Sequence, residues 1–219
     1  MDRTPEPELM DAAAQADAYA AADFATSDAE LVAAFLARFG EGLAGPVVDL
    51  GCGPGNIALR VARARPDLAV VGVDGAEAML AVARSRAAAL RNATFVRATL
   101  PSAALPAAAF GAVVSNSLLH HLHDPVASLW RTVLRVARPG APVYVADLRR
   151  PPTPAAARAI VERYAAAEPE ALRADFLASL HAAFEPDEIR AQLAAAGLAG
   201  WEVAAVGDRH VQVTGRLPA

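Results

Sequence analysis

One stretch decides the fold: Val47-Val48-Asp49-Leu50-Gly51-Cys52-Gly53-Pro54-Gly55-Asn56-Ile57-Ala58-Leu59. Its pattern predicts a short apolar strand, an acid, a turn with three alternating glycines, and a helix that begins near Asn56. Glycine has no Cβ, so such a turn can adopt positive φ and bring its backbone against a ligand. The following helix directs free N–H groups and a positive dipole end at the same place. The stretch therefore predicts a ligand site, because its glycines stand between a strand and a helix and are not an isolated tight turn.

The glycine spacing indicates which ligand is bound. A dinucleotide fingerprint runs Gly-x-Gly-x-x-Gly, whereas this turn runs Asp-x-Gly-x-Gly-x-Gly. The latter resembles the first motif of class I S-adenosylmethionine (SAM) methyltransferases. In that family the turn, here Gly51, Cys52, Gly53 and Gly55, passes under the methionine part of SAM, and the strand-end acid, here Asp49, lies near its ammonium. The resemblance implies SAM as the cofactor and S-adenosylhomocysteine as the product.

Composition and charge narrow the class of protein. The chain has 219 residues, 55% hydrophobic and 20% charged, which is typical of a globular protein with a real core. No apolar run is long enough to cross a bilayer and the acidic start does not resemble a secretory signal, so no membrane partner is expected. The net charge is −4 without a basic face, so no nucleic-acid partner is expected either. With a single cysteine, these features predict a cytoplasmic protein with a small-molecule substrate. The sequence carries no signal for an oligomeric state.

Strand and helix patterns alternate along the chain, which is typical of a parallel sheet covered on both faces. The resemblance then implies an α/β, Rossmann-like, seven-stranded and mostly parallel sheet in the order 3-2-1-4-5-7-6, with the last strand antiparallel. The predicted strands are 47–50, 68–73, 93–97, 110–115, 141–148, 201–206 and 210–214. The predicted helices that connect them are 56–64, 76–90, 125–137 and 186–196.

Two further helical segments are predicted outside this alternation. Residues 1–39 are interpreted as an N-terminal helical cap with helices at 7–22 and from about Ser27 or Asp28, either of which can cap the second one. Residues 151–184 are interpreted as a helical insertion, divided at Glu168-Pro169. In the resembled family such segments form lids, so a single methyltransferase domain over 1–219 is expected, with the insertion as the substrate lid. Tyr19 is a candidate for reaching the cofactor or substrate, and packing explains it equally well.

Residues after the second and third strands are candidates for the adenosine part of the cofactor. Asp74 follows the glycine turn by about 20 residues, which suits hydrogen bonds to two ribose hydroxyls and also a helix N-cap. It resembles the second motif of the family, and Gly75 and Met79 would then line the adenine. The family usually has an acid where Thr99 stands here, so recognition of the adenine amino group is expected from one hydroxyl. Leu100 could pack on the adenine face.

The end of the fourth strand is the candidate reaction site. Asn116 and Ser117 leave that strand at its carboxyl end, where open parallel sheets bind ligands, and they resemble the family's fourth motif beside the methyl donor. His120 or His121 could act as a general base near neutral pH or orient a substrate. The alternative is that this histidine-rich turn is structural. A metal site is a third interpretation, but His-His-x-His-Asp in a tight turn does not readily converge on one ion, so none is predicted.

Arginines after the fifth strand are candidates for the substrate. Arg149 and Arg150, with Tyr164 from the insertion, could form a pocket that accepts an anion, because guanidinium groups match carboxylate and phosphate. A solvated arginine face explains them equally well.

These features together predict a SAM-dependent methyltransferase that acts on a small molecule. The Asn/Asp-Pro-Pro-Tyr motif used on nucleobase amino groups is absent, and so is the cysteine pair that cytosine C5 chemistry needs. A SAM-binding regulator without catalysis is an alternative. A nicotinamide-dependent oxidoreductase is a weaker one, since the glycine spacing differs and the chain has no lysine.

Overall fold

The sheet predicted from the sequence is present in the structure, a computed structural model that describes residues 1–6 and 25–218. Its strands are β1 Val47–Leu50, β2 Val70–Asp74, β3 Ala93–Arg97, β4 Ala112–Asn116, β5 Pro142–Leu148, β6 Glu202–Val206 and β7 His210–Arg216. They are ordered β3-β2-β1-β4-β5-β7-β6. Strands β1 to β5 are parallel, and β7 is antiparallel to both β5 and β6. The predicted fold class and strand order are confirmed.

The helices of the described residues follow the predicted alternation. They are α1 Ala25–Phe39, α2 Asn56–Ala64, α3 Glu77–Arg86, α4 Arg131–Val136, α5 Pro154–Ala165, α6 Glu170–Ala182 and α7 Pro186–Ala195. A 3₁₀ turn at Leu119–His121 follows β4, and a π-helical turn at Val126–Trp130 leads into α4. The insertion is divided where Glu168-Pro169 predicts it. Within the described ranges, we find no helix with both the length and the hydropathy that a bilayer span requires.

Helices cover both faces of the sheet, as buried parallel strands require. Side chains of β5 alternate between two cores because successive residues of a strand point to opposite faces. Val143 and Val145 lie in one core with Trp130, and Tyr144 lies in the other with Phe35. The interior strands are therefore fixed from both sides, which leaves their carboxyl ends as the edge where open parallel sheets bind ligands.

Several element ends differ from the prediction. The second strand begins at Val70 instead of 68, and α3 ends at Arg86 instead of 90. Ser27 and Asp28 lie inside the first turn of α1 and do not precede it, so neither is its cap. The predicted helix 7–22, with Tyr19, lies outside the described residues.

The insertion forms a small core of its own. Thr153 caps α5 by accepting the Ala156 N–H at its Oγ1, 3.1 Å away. Helices α5 and α6 then pack around Ile160, Val161 and Leu180. Its position after β5 places this pair of helices next to the carboxyl edge of the sheet.

Candidate functional site

The glycine turn, residues 51–55, has the backbone that its sequence predicts. Gly51, Gly53 and Gly55 have φ of 72°, 50° and 84°, values that favour glycine. A Cβ on Gly51 would stand 2.8 Å from Leu118, whereas a Cβ on Gly53 would meet nothing within 4 Å. The backbone of Gly53 is thus the part of the turn that a ligand can approach, and this geometry fits a cofactor that lies flat against the peptide.

Asp49 is sealed beneath this turn. Its side chain is 1% exposed, and its Oδ2 accepts the Ala58 N–H at 3.0 Å, near the start of α2. Its Oδ1 is buried and has no hydrogen-bond partner among the described residues. Burial raises the pKa of Asp49 to about 7. The Asp49 carboxylate does not face solvent, so it would act on a ligand through its charge and not by direct contact. A positive group nearby, such as the ammonium of SAM, would favour its ionised form.

Asp74 joins the ends of β1 and β2. Its Oδ2 accepts the Gly53 N–H and its Oδ1 accepts the Ala76 N–H, both at 2.8 Å. The second bond forms an Asx-type turn just before α3. The N-cap of α3 is Ala76, without a side-chain cap hydrogen bond, so the predicted N-cap role of Asp74 is wrong. Each carboxylate oxygen can accept more than one hydrogen bond, so ribose binding by Asp74 remains compatible with both contacts.

The adenine-side candidates come together because β2 and β3 are paired. The Ala98 N–H donates to the Asp74 carbonyl at 2.9 Å, which aligns the two strand ends beside Gly75. Met79 is buried, and Thr99 is exposed with its hydroxyl at the surface. Leu100 is half-buried and packs against the larger core. Their roles toward adenine remain predictions.

The end of β4 lies against the glycine turn. Ser115 donates its hydroxyl to the Leu50 carbonyl at 2.7 Å, and Leu118 covers Gly51. Asn116 is half-buried at the end of the strand. Ser117 has φ of 54°, an unusual value for a residue with a Cβ, and strain of this kind is found mostly at functional sites. The predicted methyl-donor residues are therefore placed beside the predicted cofactor turn.

The histidine turn, Leu119–His121, is anchored by Asp147 near the end of β5. His120 Nδ1 lies 2.5 Å from Asp147 Oδ1, and the Leu119 N–H donates to Asp147 Oδ2 at 2.6 Å. Burial alone would raise the pKa of Asp147, but His120 outweighs it and keeps that pKa below its usual range. Burial likewise would lower the pKa of His120, and Asp147 raises it instead. Sequence reasoning missed Asp147, whose signal was an acid near the end of an apolar strand.

Glu6 faces the same turn from the other side. Its Oε1 lies 3.3 Å from His120 Nε2 and 3.1 Å from His121 Nδ1. Arg3 holds this segment in place by donating to the His120 and Leu122 carbonyls at 2.9 and 3.1 Å. Sequence reasoning missed Glu6 too, since nothing in its local pattern links it to the histidines. Both ring nitrogens of His120 face carboxylates, so its predicted role as a base requires one of these contacts to open.

The predicted substrate residues are divided between two places. Arg149 donates to the Asp208 carbonyl at 3.2 Å, and Tyr164 donates its hydroxyl to the Asp208 carboxylate at 3.0 Å. These two therefore meet at the β6–β7 turn. Arg150 is 6% exposed and donates to the Ala183 carbonyl and to Glu188 at 3.0 and 2.9 Å. A pocket that uses all three side chains is not formed in this arrangement, because Arg150 is committed to an internal ion pair.

Comparison with known proteins shows which family part of the chain resembles. Residues 47–140 match a protein-family model described as a methyltransferase domain. A trans-aconitate 2-methyltransferase of Variovorax paradoxus (strain S110) is 36% identical over 124 residues, 56% of this chain and 47% of the relative. The match thus spans about half the length of this curated relative.

Solved structures match over nearly the whole chain. A putative SAM-dependent methyltransferase of Methanococcus maripaludis has a TM-score of 0.72 at 16% identity, covering 100% of this chain and 98% of its own. A SAM-dependent methyltransferase of Aquifex aeolicus has a TM-score of 0.67 at 18% identity, covering 94% and 98%. At such identities the likeness concerns the fold.

The family match covers the elements that build the site. It begins at β1, includes the glycine turn and Asp74, and ends after the histidine turn and α4. The sheet order 3-2-1-4-5-7-6 and the Asp-x-Gly-x-Gly-x-Gly turn agree with it. Residues 47–140, which include the glycine turn, Asp74 and the histidine turn, are thus similar to a methyltransferase domain.

Proposed function

We propose that this chain binds SAM at the glycine turn and transfers its methyl group to a small-molecule acceptor. One observation carries the proposal: the turn is open at Gly53, and Asp74 holds the N–H of that same glycine. The proposed methionine subsite at Gly53 and the proposed ribose subsite at Asp74 are therefore next to each other, because the Gly53 N–H donates to Asp74. A nicotinamide dinucleotide fits less well, because the glycine spacing differs from Gly-x-Gly-x-x-Gly and Asp49 lies beneath the turn where the diphosphate would bind, whereas Asp74 suits the ribose of either cofactor.

The residues act mainly by positioning the cofactor. Bound SAM supplies a methyl group on a positively charged sulfur, and an acceptor in line with that bond needs chiefly proximity and alignment. In our proposal, Gly53 lies against the methionine part, Asp74 accepts the ribose hydroxyls, and the negative charge of Asp49 favours the ammonium. Asn116 and Ser117 flank the methyl group from the neighbouring strand end.

We further propose that the acceptor carries a carboxylate. The relative from Variovorax paradoxus is named for trans-aconitate, a carboxylic acid, although only part of it aligns with this chain. Arg149 and Tyr164, which share the Asp208 turn, could present a cation and a hydroxyl to such a group if they exchange partners. His121 is the candidate for removing a proton, because it is more accessible than His120.

Equilibrium dialysis with SAM and with NAD tests the cofactor. We expect SAM to bind and NAD not to bind. Asp74→Ala should weaken SAM binding more than tenfold, equivalent to about 1.4 kcal/mol. Asp67→Ala is the matched control, since Asp67 precedes β2 at the opposite end of the strand. Unchanged affinity in Asp74→Ala, or binding of NAD alone, would refute the proposed pocket.

Turnover tests the reaction. Radiolabelled methyl transfer from SAM should be screened against a panel of small carboxylic acids, amines and phenols. We expect label in a carboxylic acid. SAM binding without transfer to any member of the panel would instead favour the non-catalytic regulator.

A further inference from the structure

We propose that Glu6, His120 and His121 form a binding site for a divalent transition-metal ion. His120 Nε2, His121 Nδ1 and Glu6 Oε1 all lie within 4.8 Å of one another. The histidine turn alone does not readily converge on one ion, but Glu6 reaches both rings from the N-terminal segment.

The spacing of the donor atoms fits a small tetrahedral ion. Zinc ligands lie about 2.0–2.1 Å from the metal, so two ligands of a tetrahedral site are about 3.3–3.4 Å apart. Glu6 Oε1 lies 3.3 Å from His120 Nε2 and 3.1 Å from His121 Nδ1. Two edges of the coordination tetrahedron are thus close to their final length. The two imidazole rings lie 4.1 Å apart, centroid to centroid, at an angle of 36°, so the third edge forms when the rings turn toward the ion.

The surroundings orient the donors as metal sites usually require. Asp147 contacts Nδ1 of His120 at 2.5 Å, which leaves Nε2 directed at Glu6. A carboxylate on the far nitrogen of a metal-binding histidine is the common arrangement that fixes its tautomer. Ser179 donates its hydroxyl to Glu6 Oε1 at 3.1 Å and holds that carboxylate in turn.

Burial and charge also favour a cation. The side chains of His120, Glu6 and His121 are 3%, 13% and 14% exposed, so water competes weakly for the donor atoms. Glu6 and Asp147 bring two negative charges, against one positive charge from Arg3 nearby. A divalent ion would take the place of the proton that these two carboxylates favour on His120.

The donor set indicates the class of metal. Two imidazole nitrogens and one carboxylate oxygen suit Zn²⁺ and its neighbours such as Co²⁺, and they do not suit the all-oxygen preference of Mg²⁺ or Ca²⁺. Three protein ligands leave a fourth position for water or for an oxygen of a small molecule. The site does not depend on SAM, so it can be tested separately from methyl transfer. With an ion bound, His121 is a ligand and no longer the base for the acceptor.

Direct metal titration tests the site. The full chain, stripped of metal by chelation, should bind one equivalent of Zn²⁺ in calorimetry, and Co²⁺ should give the visible absorption of a tetrahedral complex. Glu6→Gln and His121→Ala each remove one donor from a side chain near the surface, and we expect at least a tenfold weaker Zn²⁺ affinity for each. His120→Ala is avoided as the main variant because its buried ring also holds Asp147.

Matched controls separate the cluster from unspecific histidine binding. His123 lies in the same stretch but is exposed and outside the cluster, so His123→Ala should retain one equivalent at unchanged affinity. Circular dichroism and SAM binding by the stripped variants report whether the fold survives. No stoichiometric Zn²⁺ binding by the parent chain, or a Zn²⁺ affinity of Glu6→Gln and His121→Ala that equals the affinity of the parent chain, overturns the proposal.

Discussion

The glycine turn and the histidine turn lie at the same edge of the sheet, but they are assembled in different ways. The glycine turn takes most of its hydrogen bonds from its own helix and from the next strand in sequence, through Asp49, Ala58 and Asp74, and Leu118 packs on Gly51. The histidine turn depends on Asp147, 27 residues away, and also on an N-terminal segment that is far more distant. The first region is therefore the more local of the two, because only the second needs the N-terminal segment.

This difference has an energetic consequence. A local turn loses little when one distant contact fails, whereas a buried charge pair depends fully on its partner. His120 and Asp147 are both almost completely buried, so each satisfies a group that would otherwise be costly to bury. We therefore expect the largest effects on stability at the histidine turn and the largest effects on SAM binding at the glycine turn.

Asp147→Asn should give the largest loss of stability. The substitution leaves His120 without its ionic partner. In the parent chain the Leu119 N–H donates to the Asp147 carboxylate, and in the variant only a neutral amide is available in its place. Breaking a buried pair by removing one partner costs about 3–5 kcal/mol. Urea denaturation of metal-free protein measures the change. Asp187→Asn, on the exposed face of α7, should change it by less than about 0.5 kcal/mol. If both variants unfold at the same urea concentration, the histidine turn does not have the energetic role argued here.

Gly51→Ala and Gly53→Ala should separate stability from binding within the glycine turn. Both place a Cβ at positive φ, at a cost of about 1–2 kcal/mol. At Gly51 the Cβ also meets Leu118, and overpacking adds about 1–3 kcal/mol. At Gly53 the Cβ enters the open space assigned to SAM, so affinity for SAM should fall more than tenfold.

Gly42→Ala is the matched control for this pair, since Gly42 also has positive φ, 77°, and no atom near its missing Cβ. It should show the φ cost alone and bind SAM normally. Denaturation and dialysis on the three variants give the comparison. Equal free energies of unfolding for Gly51→Ala and Gly53→Ala would show that Leu118 does not clash with a Cβ at Gly51.

The same difference explains what the sequence could predict. Strand β1 at 47–50, helix α2 at 56–64 and strand β3 at 93–97 have the bounds that the sequence predicts. Their periodic patterns and their ends are encoded by neighbouring residues. Glu6 and Asp147 were missed because their roles arise from contacts across the fold. Arg150 was proposed from its charge, yet Glu188 engages it, and sequence alone cannot tell an internal ion pair from a substrate anchor.

The free energy of unfolding should decrease with rising pH because of Asp49. Its pKa is raised from 3.8 to about 7 in the folded chain, so the folded state holds a proton that the unfolded state releases between these values. Stability from this group is therefore full below about pH 4 and is lost as the pH rises toward 7, by up to about 1.4 kcal/mol per pH unit.

Asp49→Asn should lack this slope between pH 5 and 7, as measured by urea denaturation at several pH values. The burial of Asp28 raises its pKa to about 6 and adds a slope of the same sign, which both proteins retain. The difference between the parent chain and Asp49→Asn isolates Asp49. Parallel pH profiles for the two proteins would show that the acid beneath the glycine turn is not protonated on folding.

Tyr164→Phe should have the smallest effect on stability and tests whether the insertion takes part in substrate binding. Its hydroxyl bonds the carboxylate of Asp208 at an exposed site, and Arg209 lies 3.4 Å from the ring centroid. Phenylalanine keeps the ring contact and loses one exposed hydrogen bond, so the free energy of unfolding should change by less than about 0.5 kcal/mol.

If Tyr164 binds the acceptor, KM for the acceptor rises while kcat and the affinity for SAM stay the same, because the lost contact lies away from the cofactor. Asp208→Ala removes the acceptor of the same hydrogen bond but leaves the Tyr164 hydroxyl, so a raised KM in Tyr164→Phe alone assigns the effect to the hydroxyl. Unchanged KM in both variants would exclude the Tyr164 hydroxyl from acceptor binding and leave the histidine turn as the stronger candidate, the region that depends on the most distant contacts of the fold.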